Sequence, residues 1–146
     1  AVSKLKSFGV ETEVHVMSAH RTPTEACEFA KNAAANGFGV IIAAAGMAAH
    51  LGGVLAAHTV LPVIGLPLKS AALDGMDALL STVQMPPGVP VATVGIDAAA
   101  NAGTLAVQIL ALGDEELTRR LVESKEEMAE TVREKDRKMQ ELAAAL

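Results

Sequence analysis

Four short apolar runs, separated by helix-like stretches, constrain this chain more than any other feature. The runs are Val14–Met17, Val40–Ala44, Pro62–Leu66 and Val91–Gly95. The last three are continuous rather than alternating, as expected of strands covered on both faces. Helix-like patterns occupy Pro23–Asn36, Met47–His58 and Ser70–Thr82, and Ala98–Leu112 follows the fourth run. Strands alternating with helices imply a parallel sheet with right-handed crossovers. The expected fold is therefore α/β, a three-layer parallel sheet with helices on both faces. Residues 1–8 read as the end of a further helix, with Gly9 closing it.

The chain has 146 residues, which fits one domain. The single Cys27 excludes an internal disulfide and a cysteine-cage zinc site. Cys27 itself reads as a small buried apolar group, and low cysteine usage favours a cytoplasmic setting. A net charge of −5 argues against nucleic acid, whose affinity comes mostly from Lys and Arg on phosphates. Aromatic residues are 2% of the chain, so no stacking platform for bases is expected either. No apolar run reaches the roughly 20 residues of a membrane span, and residues 1–10 lack a signal-peptide core.

The last third changes character. Gly113-Asp114-Glu115-Glu116 reads as a break followed by an acidic helix start. From there to about Leu142 the pattern is highly charged, with a narrow apolar stripe of Leu117, Leu121, Met128, Val132, Met139 and Leu142. Glu134 and Lys138 are spaced for an i,i+4 pair. Two readings stand open: a solvated helix docked on its own domain, or one packed on a neighbouring subunit. The chain thus divides into an α/β domain over 1–112 and a long C-terminal helix in 113–146.

In an open parallel sheet, ligands bind beyond the carboxyl ends of the strands. The first strand-to-helix turn is Ser18-Ala19-His20-Arg21-Thr22-Pro23. Thr22-Pro23-Thr24-Glu25 fits a capping box with proline at the first helical position. Ser18, His20 and Arg21 then stand at a helix N-terminus, which favours anions and disfavours protonation of a histidine. A neutral imidazole there can accept and return a proton near pH 7. The second turn, Gly46 through Leu51, is built of small residues that let a ligand approach backbone N–H groups. Its glycine spacing matches neither a dinucleotide fingerprint nor a phosphate-binding P-loop. His50 and His58 are eight apart, but no third ligand is spaced for a metal, so no metal site is expected. In the third turn Lys69 suits an anion, and Ser70 suits an anion contact or a helix cap. Asp97, in the fourth turn, reads first as a cap.

Two classes of function survive. One is an enzyme acting on a small phosphorylated substrate by histidine acid–base chemistry. The other is a flavodoxin-like binding or assembly module without chemistry. Flavin binding is disfavoured by the absence of Trp and Tyr. A phospho-receiver is disfavoured because no expected strand ends in aspartate.

Several motifs in order carry a more specific resemblance. Ser18-Ala19-His20-Arg21-Thr22-Pro23, Ala45–Leu51, Leu61–Pro67, Ser70–Gly75, Gln84-Met85-Pro86 and Pro90–Val94 with Ala100-Asn101-Ala102 resemble the PurE family, the N5-carboxyaminoimidazole ribonucleotide mutases of purine biosynthesis. The resemblance runs from about Gly9 to Leu121. It implies a flavodoxin-like fold and migration of a carboxylate from the exocyclic nitrogen to the imidazole carbon through trapped carbon dioxide. It implies His20 as the catalytic proton shuttle and Arg21 as a phosphate contact. It also implies substrate contacts from Ser18, Ala19, Ser70 and the loop Gly46, Met47, Ala48, Ala49, His50 and Leu51. No metal or other cofactor is needed, and the family forms homo-octamers. The related aminoimidazole ribonucleotide carboxylases typically have lysine at the position of Arg21, so Arg21 favours the mutase. The family also opens with a strand and a Gly-Ser-x-Ser-Asp phosphate loop that this sequence does not contain. We therefore expect an open slot in the sheet and roughly 20 further residues upstream, a strand, a loop and a first helical turn.

Overall fold

The computed structural model describes residues 1–48 and 50–145. Three parallel strands form one sheet in the order β1 (Ile41–Gly46), β2 (Val63–Leu68) and β3 (Ala92–Thr93). Register runs from Ile41 opposite Val63 to Gly46 opposite Leu68, and Ile64 lies opposite Ala92. Side chains alternate between the two faces along each strand. Ile41, Ala43 and Val63 enter one core, whereas Ile42, Ile64, Leu66 and Leu68 enter the other. That two-sided burial is why the strand sequences are continuously apolar.

One face is covered by α2 (Pro23–Ala33), α3 (Leu51–Ala56) and α4 (Met76–Val83), the other by α1 (Val2–Ser7) and α5 (Ala99–Leu110). Alanines make the close contacts: Ala26, Ala30 and Ala33 on α2, and Ala102 and Ala106 on α5, are all 0% exposed. Ile64 and Val107 are also completely buried. Each such side chain contributes about 1.5–3 kcal/mol of burial.

The run Val14–Met17 is the main departure from expectation. It belongs to no strand, and Val16 is fully exposed. A strand exists only where a neighbour completes its hydrogen bonds, and a cleft of about 1070 Å³ separates this segment from β1. The three strands are contiguous, and the opening lies at the β1 edge of the sheet. The fourth run shortens to two residues, and α3 starts at Leu51 rather than Met47 because Met47 and His50 take positive φ (58° and 53°).

The C-terminal element is α6 (Glu115–Ala144). Asp114 Oδ1 accepts the Leu117 N–H at 3.0 Å as its N-cap. Leu117 and Leu121 pack on the α1/α5 core, and Arg120 Nη1 donates to Phe8 O at 2.9 Å. Among the described residues beyond Leu121 none is buried, and Met128, Val132, Met139 and Leu142 stay exposed. Thirty residues make a rod of about 45 Å. The expected Glu134–Lys138 pair is not formed; Glu130 instead takes Arg133 and Arg137. Exposed pairs gain too little for spacing alone to select the partner.

Candidate active site

Parallel strands bring the loops after β1, β2 and β3 to one rim of the sheet. Met17 and Leu51, which bracket the first and second turns, pack on the same core cluster.

Ser18 and Thr22 close the first turn on each other. The Ser18 N–H donates to Thr22 Oγ1 at 2.8 Å, Thr22 Oγ1 donates to Ser18 O at 3.2 Å, and the Arg21 N–H donates to Ser18 Oγ at 3.2 Å. The expected capping box is therefore absent, because the Thr22 hydroxyl is committed backwards to Ser18. Pro23 does occupy the helix start. The result is a compact turn presenting Ala19, His20 and Arg21. The His20 and Arg21 side chains are exposed and make no hydrogen bond or ion pair among the described residues. Both are free to meet a ligand at the N-terminus of α2, where the helix dipole favours an anion.

The second turn is anchored through His50. Its Nδ1 lies 2.9 Å from the carbonyl oxygen of Ser81, near the end of α4. A carbonyl only accepts, so Nδ1 donates, and the neutral ring keeps its lone pair on Nε2. The ring lies across Gly53, where a Cβ would stand 2.5 Å from Nε2. Only glycine leaves that space. Gly46 ends β1 beside Leu68 O, and Met47 and Ala48 are exposed; Ala49 lies outside the described residues. His58 is tied separately, its Nδ1 2.8 Å from Val54 O. No group of three potential metal ligands forms among the described residues.

The third turn differs from expectation. Ser70 does not cap a helix; its Oγ donates to Ala72 O at 2.9 Å within the loop. Leu73, Asp74 and Gly75 all have positive φ (53°, 51° and 92°), which prevents a helix from starting at Ser70, and α4 begins at Met76. Lys69 pairs with Asp74 at 3.1 Å. Asp97 does not cap α5 either. Its Oδ1 accepts the Lys69 N–H at 2.9 Å and its own N–H donates to Pro67 O at 2.9 Å. Asp97 thus straps the third turn to the fourth. Asp77, in the first turn of α4, keeps Oδ1 buried without a partner among the described residues. Sequence reasoning missed the roles of Ser81 and Asp97. A backbone carbonyl leaves no mark in a sequence, and an aspartate in a turn looks like a cap.

These features define an open α/β protein whose ligand rim is built from strand-to-helix loops, with an anion-suited turn at His20 and Arg21. Comparison with known proteins narrows that class. Residues 1–131 match the AIR carboxylase family model. The chain is 56% identical over 142 residues to the N5-carboxyaminoimidazole ribonucleotide mutase of Methanocaldococcus jannaschii, covering 97% of this chain and 88% of that protein. It is 52% identical over 146 residues to the mutase of the same name from Mycobacterium leprae, covering 100% and 85%. The crystal structure of Treponema denticola PurE superimposes with a TM-score of 0.83 at 28% identity, covering 94% of this chain and 85% of that one. The chain belongs to the AIR carboxylase (PurE) family.

Proposed function

We propose that the chain is an N5-carboxyaminoimidazole ribonucleotide mutase. The observation that carries this is 50–56% identity to relatives of that name, and the anion-suited His20–Arg21 turn supports it. In the first step the bond from the exocyclic nitrogen to the carboxylate breaks, carbon dioxide is released, and the nitrogen gains a proton. In the second, the imidazole carbon attacks the trapped carbon dioxide and loses its proton. His20 carries that proton between the two positions. Arg21 meets the 5′-phosphate, with Ser18 and Ala19 alongside. The loop Gly46 through Leu51, Ala49 included, holds the migrating carboxylate on its backbone, and Ser70 completes the rim. Confinement supplies the rate by keeping carbon dioxide at high effective concentration and away from water.

We further propose that residues 1–112 act as the catalytic domain in a cytoplasmic homo-octamer. The segment 113–146 then packs the outer part of its apolar stripe, from Met128 onward, on a neighbouring subunit. The exposed Met128, Val132, Met139 and Leu142 support a partner for α6.

The test is conversion of the carbamate nucleotide without added bicarbonate or ATP. Turnover is expected when the chain carries the strand and Gly-Ser-x-Ser-Asp loop with which the family opens; without them the ribonucleotide should bind poorly. His20→Asn should lower it by about 10²–10⁴-fold with ligand affinity retained, whereas Arg21→Ala should weaken substrate affinity. Turnover only from the unmodified amine plus carbon dioxide would assign a carboxylase instead.

A further inference from the structure

Lys69 opens the loop between β2 and α4. The register of the sheet sets Gly46 opposite Leu68, so Met47 and Lys69 begin neighbouring loops at the same rim. A Cβ on Gly46 would stand 3.5 Å from Leu68 O, so the two strand ends run close together. The backbone of Lys69 is fixed from the fourth turn. Its N–H donates to Asp97 Oδ1 at 2.9 Å, and the Asp97 N–H donates to Pro67 O at 2.9 Å. The Lys69 ammonium lies 3.1 Å from Asp74 Oδ1 and makes no other ion pair among the described residues. Both side chains of that pair are exposed, 60% and 83%.

Stability does not account for this arrangement. Leu73, Asp74 and Asp97 all hold positive φ, between 51° and 56°. Holding a residue there costs more than an exposed ion pair returns. Leu73, bulky and exposed, is the clearest outlier. What the strained turn delivers is a movable cation beside the Gly46–Leu51 loop, which itself holds no lysine or arginine. The substrate proposed above carries two anionic groups, a phosphate and a carboxylate, and Arg21 stands on a different turn from Lys69. We infer that Lys69 is the cation that meets the migrating carboxylate, with Asp74 as its exchange partner and Asp97 as the residue that positions it. This inference rests on the mutase reading. When the carboxylate leaves as neutral carbon dioxide, Asp74 takes the ammonium back. The Lys69–Asp74 pair is exposed and weak, so the exchange needs little driving force.

The probe is imidazole-4-carboxylate, which has the ring and the carboxylate without the ribose phosphate. It is titrated into the full chain at constant ionic strength, because salt screens exposed pairs. The side-chain methylene signals of Lys69, followed by NMR, should shift to saturation with this probe and stay still with imidazole alone. Lys69→Met should weaken binding about threefold, whereas Asp74→Asn, which removes the competing charge, should tighten it about threefold. Asparagine tolerates positive φ as aspartate does, so the turn is kept. Asp97→Gly keeps the backbone conformation but loses the acceptor, and should weaken binding; Asp97→Asn, which retains Oδ1, should bind as the unaltered chain does. A turn that served only the fold would not bind more tightly without Asp74. Unchanged or weaker binding by Asp74→Asn therefore overturns the inference. So does a Lys69 response to inorganic phosphate as strong as that to the carboxylate. Fragment binding needs no turnover, so the two readings fail separately. Loss of the Lys69 response with turnover of the carbamate nucleotide intact refutes this inference alone. A Lys69 response without turnover supports the carboxylate contact and counts against the mutase reading alone.

Discussion

Replacing Gly53 with alanine separates loop geometry from stability. The new Cβ would stand 2.5 Å from His50 Nε2, 2.9 Å from Cδ2 and 3.0 Å from Cε1. The imidazole must then retreat by roughly an ångström to reach ordinary contact, and the 2.9 Å bond from Nδ1 to Ser81 O does not survive that shift. Losing one exposed hydrogen bond costs about 0.5–1.5 kcal/mol. Alanine in place of glycine in a helix returns about 1 kcal/mol. The two terms nearly cancel, so Tm should move by only a few degrees. The loop Gly46–Leu51 loses its tether to α4, and a misplacement of about 1 Å in a reacting site costs on the order of 100-fold in rate. The assays are thermal unfolding, turnover of the carbamate nucleotide, and the ¹⁵N spectrum of the His50 ring. Gly113→Ala, where a Cβ would meet nothing within 4 Å, is the control. Turnover within about twofold of the unaltered chain, with the His50 spectrum changed, would refute the tethering role.

Further outcomes concern packing, charge and assembly. Gly65→Ala places a Cβ 2.2 Å from Thr82 Cγ2 and 2.9 Å from Val91 Cγ1, and should destabilise by about 1–3 kcal/mol in urea unfolding; Thr82→Ser in the same chain should restore part of the loss. Hydrogen bonds from Arg119 and then Arg120 lower the Glu116 carboxyl from 4.5 to about 2. A pKa lower in the helix than in the unfolded chain adds stability that is complete above pH 4.5 and lost as pH falls through about 2, so α6 helicity by circular dichroism should decline in that window. Molar salt should weaken the effect, since these groups are exposed. Deleting residues 113–146 should lower the number of protomers per assembly, read from the light-scattering mass divided by the mass of the shortened chain; an unchanged number would rule out α6 as a subunit contact.

The elements legible in the sequence are those whose hydrogen bonds close locally or whose burial is marked on every residue. Helices α1, α2, α5 and α6 satisfy their backbone within a few residues, and Gly9 after α1, Pro23 at the start of α2 and the Asp114 cap of α6 mark ends in local chemistry. Strands β1 and β2 showed as continuous apolar runs because both faces of each are covered. The turn carrying His20 and Arg21 was readable because it joins an extended run to a proline-started helix. Tertiary structure decided the rest. Val14–Met17 has the composition of a strand, but a strand needs a neighbour's backbone, and none of its own residues supplies that. Ser70 and Asp97 looked like caps, yet the left-handed turn at Leu73–Gly75 delayed α4, and the nearness of the third turn gave Asp97 the Lys69 N–H instead. His50 found its partner 31 residues away in a carbonyl of Ser81. Each of these contacts joins groups far apart in the chain, so their pairing depends on how the layers pack and not on any local pattern of residues.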